Sequence, residues 1–157
     1  MKDKAALRTE LVAALEEALA AARAAHAAAI EGATHAEAKA ENDKDTRGLE
    51  QSYLARGVAQ RVVDLETAVA DVTRLELRTF AAGAPAAMSA LVTVDEEGEE
   101  QTFFLAPAGG GTVLSSNVQV VTTSSPLGRA LLGKRVDDEV ELKLPGKTRA
   151  FVISAIR

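Results

Sequence analysis

Residues 35 to 50 read HAEAKAENDKDTRGLE, and within that run Glu37, Glu41, Asp43 and Asp45 crowd four carboxylates together. Carboxylates at such spacing suit ligation of a hard cation, because magnesium and calcium take oxygen donors. Four flexible carboxylates with one histidine, His35, beside them do not complete a site. Magnesium, however, commonly uses one or two protein carboxylates and draws its other ligands from water and phosphates. The stretch can therefore supply part of a metal site that belongs to another molecule. The plainer alternative is a solvated acidic turn.

Other chemistries find little support. There is no cysteine, which removes thiolate catalysis, disulfides and cysteine-based zinc sites. The two histidines, His26 and His35, form no HExxH motif and no Ser/His/Asp arrangement. The glycine run Ala108 to Gly111 is not followed by GK[ST] or by an opening helix, so it is read as a sheet connection and not a phosphate loop. Asp43, Asp45, Arg47 and Gly48 imitate the start of a calcium loop. The imitation fails at Arg47, which holds a ligand position, and at Leu54, where a bidentate Glu is needed.

The elements that carry the acidic run are helical. From about Ala5 to Ile30 the chain is rich in Ala, Leu and Glu and free of Gly and Pro, the composition of a strong helix. Leu7, Leu11, Ala14, Ala18, Ala21, Ala25 and Ala28 step by four and three, with Leu15 and Leu19 widening the stripe. A second helix is expected from about Leu49 to Leu75, where Leu54, Val58, Val62, Leu65, Val69 and Val72 repeat the step. Each stripe needs a partner, and two of them joined by a polar break containing Gly32 and Gly48 predict an antiparallel hairpin about 40 Å long. A dimeric coiled coil is the alternative. Gly83 and Pro85 mark a linker over 81–87.

Beyond the linker the period changes to two. Strands are expected at Met88–Val94, Gln101–Pro107, Val118–Thr123, Val140–Leu144 and Arg149–Ile156. SSPLGRALLG has the serine cap, early proline and closing glycine of a short helix. Its Leu127, Leu131 and Leu132 are read as core. The expectation is thus an α+β chain: an N-terminal helical hairpin over 1–80 with an acidic tip around 37–47, the linker, and a small, mainly antiparallel sheet domain over 88–157.

With 157 residues, 47% hydrophobic but only 3% aromatic, the chain can bury a thin core. A net charge of −5 argues against a general nucleic-acid binder. No apolar run approaches ~18 residues, so no membrane span is expected, and the charged first residues lack a signal-peptide core. A cytoplasmic protein is the expectation.

The C-terminal stretch Ser124 to Arg157 resembles the Gre transcript-cleavage factors. Their mark, Ser-Pro-aliphatic-small-Arg-small-Leu-aliphatic-Gly-Lys and then an acidic pair, is matched by Ser125 to Lys134 with Asp137 and Asp138. AENDKDTRGLEQSYLARG looks like a divergent, Gre-like branch. The resemblance implies an antiparallel coiled coil followed by a domain like an FK506-binding protein. It also implies a partner, bacterial RNA polymerase, docked at its secondary channel through the loop carrying Ser125 and Pro126. The acidic tip would enter the channel, approach the nascent RNA 3′ end and help hold a catalytic Mg2+, so that the polymerase cleaves backtracked RNA with its own active site. The chain would then be an accessory factor and not an enzyme, without a cofactor of its own, and a monomer. Two registers of the family's tip motif both leave an acid at Glu41, with Asp43 and Asp45 next. The family's tip Tyr has no match, since Tyr53 falls in the second helix. Relatives with altered tips that occupy the channel and inhibit imply a second reading, and an isomerase or chaperone module built on the sheet domain is a third.

Overall fold

A computed structural model of the chain describes residues 3–38 and 47–157. Helix α1 runs Lys4–Ala38 and helix α2 Arg47–Thr73. Helix α1 continues past Ile30, the expected end, and includes Gly32. One interior glycine costs about 1 kcal/mol relative to alanine, too little to stop a helix whose neighbours favour it. Six strands follow: β1 (Leu91–Glu96), β2 (Glu99–Ala106), β3 (Val113–Leu114), β4 (Val118–Thr122), β5 (Glu139–Leu144) and β6 (Lys147–Ile156), with helix α3 (Pro126–Leu131) between β4 and β5. The expected helical hairpin and sheet domain are both present. Among the described residues no helix is long and apolar enough to cross a membrane.

The chain forms two compact units, one comprising Met1–Val12 with Asp71–Arg157 and the other Ala13–Ala70. In the first unit the strands form one sheet in the order β3-β4-β2-β1-β6-β5. Every neighbouring pair is antiparallel except β2 with β4, which run parallel from Thr102↔Val118 to Ala106↔Thr122. Strand β1 begins at Leu91 and not at Met88, because Ser89 takes a left-handed conformation (φ 73°) that breaks the extended run. The two-residue β3 is too short to be read from periodicity.

Alternation places Val92, Val94, Phe103, Leu105, Val121, Val140, Phe151 and Ile153 in one core with Leu131 of α3. Leu91, Phe104, Val118 and Val120 are buried as well. Their register partners put Leu91 and Phe104 side by side, and Phe104 beside Val120. Leu7, Leu11, Val72 and Leu75 are the buried residues at the helix ends of the same unit.

In the second unit α1 and α2 pair as a hairpin within one chain: Arg23 Nη2 lies 3.4 Å from Glu66 Oε1. The buried seam of α1 is Leu15, Leu19, Ala22 and Ala29, whereas Ala21, Ala25 and Ala28 are exposed. The expected seam is therefore shifted by one residue in its alanine portion. Leucine has far more apolar area than alanine, so Leu15 and Leu19 choose the face, and the 3.6-residue period carries it on to Ala22 and Ala29. On α2, Leu65 is buried but Leu54 is 54% exposed.

Candidate functional site

The candidate metal ligands Glu41, Asp43 and Asp45 lie outside the described residues. They belong to the connection between Ala38, the last residue of α1, and Arg47, the first of α2. As a donor set they are carboxylate oxygens only, which fits Mg2+ and not a softer ion. Among the described residues no group of three His, Cys, Asp or Glu side chains could hold a metal ion.

Ser125 and Pro126 sit where β4 hands over to α3. Ser125 is the N-cap: its hydroxyl accepts the Gly128 N–H at 3.0 Å and donates to the Thr122 carbonyl at 2.8 Å. Both capacities are used inside the fold, so Ser125 shapes the loop. Pro126, at the first helical position, needs no N–H partner there and is exposed. Gly128 is buried, and a Cβ added to it would overlap the Thr122 carbonyl oxygen and lie 2.8 Å from the carbonyl carbon. Only glycine lets α3 lie this close to the end of β4. Leu127 packs on the core and Leu131 is fully buried, as expected, and Ala130 packs on the core beside them. Leu132, expected in the core, is 37% exposed; it is the C-cap, where a ψ of 130° ends the helix. The outer face therefore presents Pro126, Arg129 and Leu132.

The rest of the motif is structural wiring. Gly133 N–H donates to Ala86 O and Ala86 N–H to Lys134 O, each at 2.8 Å, tying the 81–87 segment to the exit of α3. Asp138 Oδ2 accepts the Arg135 N–H at 2.8 Å, and the backbones of Asp137 and Asp138 bond Ile153 in β6. The acidic pair thus fixes the turn before β5.

Sequence reasoning missed how the first turns of α1 are held within their unit. Lys4 Nζ donates to the carbonyls of Arg78, Ser89 and Arg157 and lies 4.8 Å from the centre of the Phe80 ring. Burial, and then the charge of Arg78, hold its pKa below the usual lysine value. Arg8 donates to Leu75 O at 2.7 Å, and Glu10 accepts the Ser115 N–H at 2.9 Å. The glycine run is explained here too: a Cβ on Gly109 (φ 82°) would stand 2.6 Å from Leu11 Cδ1, so the loop is a socket for that leucine. No local pattern signals these contacts, since their partners lie 67 to 153 residues apart in the chain. On the sheet, Arg149 forks onto Glu96 with contacts of 2.6 to 3.2 Å. That hydrogen bonding, more than the charge, lowers the Glu96 pKa.

Comparison with known proteins points one way. The family described as "Transcription elongation factor, GreA/GreB, C-term" matches residues 85–157. A protein of Chelativorans sp. named transcription elongation factor GreA is 33% identical over 133 residues, 78% of each chain. One of the same name from Mesorhizobium japonicum is 32% identical over 74% of this chain and 71% of its own. That of Rhodospirillum rubrum is 30% identical over 57% of this chain, and the match spans only 52% of the relative's length. A solved structure, GreA factor homolog 1 of Thermus thermophilus, aligns at 22% identity over 93% of this chain and 94% of that one, with a TM-score of 0.41.

Proposed function

The chain belongs to the GreA/GreB family of transcription elongation factors, and from that premise we propose that it binds bacterial RNA polymerase at the secondary channel and stimulates cleavage of backtracked RNA. The observation that carries the reading is a helical hairpin whose connecting residues hold Glu41, Asp43 and Asp45, joined in one chain to the Ser125–Lys134 motif. In the second unit α1 runs from Ala13 to Ala38, about 39 Å at 1.5 Å per residue, which suits carriage of carboxylates into a pore. Docking falls to the loop of Ser125 and Pro126: Ser125 holds the loop's shape, and exposed Pro126, with Arg129 and Leu132 beside it, makes the contact.

The chain supplies no nucleophile. Its tip carboxylates would donate oxygen ligands to a Mg2+ shared with the polymerase. When bound, that ion stabilises the attacking and leaving oxygens of phosphodiester hydrolysis. Glu41 is the first ligand to test, with Asp43 and Asp45 beside it, near the nascent RNA 3′ end. The factor acts as a cytoplasmic monomer and is itself no enzyme.

The test mixes the protein and magnesium with backtracked polymerase carrying end-labelled RNA. Shortened transcripts are expected, and their loss when Glu41→Ala, Asp43→Ala and Asp45→Ala are combined, with co-migration retained. Intact transcripts with slowed initiation would favour a channel-binding inhibitor. Failure to co-migrate with polymerase at all would remove both readings.

A further inference from the structure

The helical hairpin of residues 13–70 contains a mostly apolar groove of about 560 Å³, lined by alanines of α1 from Ala18 to Ala25 and by Tyr53, Leu54, Gly57 and, as its one charged residue, Arg61 of α2. Tyr53 and Leu54 do not fill it. Tyr53 is 58% exposed and Leu54 54% exposed, and the Tyr53 ring rests instead against Arg56, 5.3 Å from the guanidinium carbon. Apolar groups standing beside an open apolar groove lose little by moving into it and remove area from water when they do.

Gly57 points the same way. It stands in the interior of α2, where glycine is the least favourable residue after proline. Its conformation is not left-handed, and a Cβ added to it would meet nothing within 4 Å. Neither backbone geometry nor packing in this arrangement calls for glycine. A closer approach of the two helix backbones does call for it, since that is the other use of the residue.

Helix α1 carries two apolar seams one residue apart: Leu15, Leu19, Ala22 and Ala29, which is buried, and Ala14, Ala18, Ala21, Ala25 and Ala28, which is not. The ladder on α2 is buried at Leu65 and open at Leu54.

We propose that the hairpin has a second, closed packing state, in which the first half of α2 moves onto the alanine seam of α1, Leu54 and Tyr53 seat on Ala18, Ala21 and Ala25, and Gly57 lets the backbones meet. The Arg56–Tyr53 contact belongs to the open state and breaks on closure. Packed helices change between discrete arrangements of this kind on the microsecond to millisecond scale. The inference stands apart from the polymerase reading, because it concerns only residues 13–70.

Tyr53 is the sole tyrosine and the chain has no tryptophan, so its ring resonances are unambiguous. Relaxation dispersion on the Tyr53 ring and the Leu54 methyl groups of the full chain is expected to reveal exchange. That exchange is expected to vanish in Gly57→Leu, whose Cβ meets nothing within 4 Å in the described state and whose longer side chain blocks closure. Leu54→Ala, which removes the seated group, is expected to abolish the exchange at Tyr53 as well, and decides the matter if Gly57→Leu loses helicity. Flat dispersion in the unmodified chain overturns the proposal. So does exchange that survives both substitutions, or exchange that grows with protein concentration and therefore reports self-association.

Discussion

Replacing Gly128 by alanine isolates the contact that seats α3 on the sheet. The added methyl would overlap the Thr122 carbonyl oxygen, with the carbonyl carbon at 2.8 Å and Thr123 Cα at 3.0 Å. All three neighbours are backbone, so no flexible side chain can move aside. Relief of the overlap with the carbonyl oxygen requires α3 to lift by roughly 1.5 Å, since ordinary contact begins near ~3.5 Å. Overpacking of a tight site costs about 1–3 kcal/mol. The lift also loosens Leu131, which is fully buried, and strains the Ser125 cap, together worth about 2 kcal/mol more. Against this, alanine returns about 1 kcal/mol of helix propensity. The net expectation is a loss of about 2–4 kcal/mol, or roughly 5–15 °C in melting temperature for a chain of this size. Gly57→Ala is the matched control. With nothing within 4 Å of its Cβ, it is expected to raise stability by about 0.5–1 kcal/mol. Calorimetry on both variants checks the pair of signs. A Gly128→Ala protein as stable as the parent would refute the close seating of α3.

Ser125→Ala deletes the cap and leaves the Thr122 carbonyl without its hydroxyl donor, so a loss of about 1–2 kcal/mol is expected from urea unfolding. In Arg149→Met the fork onto Glu96 disappears. Because Arg149 depresses the folded-state pKa of Glu96, its stabilisation is present above the unfolded carboxylate pKa and fades as pH falls through the lower folded value. The difference in urea midpoint between parent and variant is therefore expected to be largest near pH ~7 and to shrink on acidification below pH ~4. A difference that stays constant over that range contradicts the assignment.

The helices and every strand but β3 were legible because each announces itself locally. The four-and-three step of leucines and valines marks the helices, and the serine, proline and glycine of SSPLGRALLG mark α3 where it forms. The face of α1 was misread after Leu19, since a run of alanines has no periodic contrast to fix which one turns inward. Leu54 counts as core by spacing and yet stands in solvent, because spacing does not reveal whether the opposite helix comes close enough. The role of Ser125 in the loop follows from cap chemistry, whereas the need for glycine at Gly128 comes from its close approach to the Thr122 carbonyl, which no local pattern signals. The socket of Gly109 for Leu11 and the three carbonyls around Lys4 are not signalled either, because they join residues far apart in the chain. At the tip, residue type alone does not separate Glu41, Asp43 and Asp45 from Glu37; the registers of the family's motif put Glu41 first.

The place of β6 in the sheet bears on how the molecule comes into being. It lies between β1 and β5, and Leu91 and Arg157 exchange backbone hydrogen bonds at 2.9 and 3.0 Å. During synthesis, β1 and β2 can close their hairpin early, but β5 has no neighbour until the strand after it leaves the ribosome. The apolar side of the early hairpin must wait in water through some fifty further residues at roughly 5–20 residues per second. The helical pairing within residues 13–70, built from contacts nearer in sequence, has no such delay, whereas the first turns of α1 must wait with the sheet for Arg157.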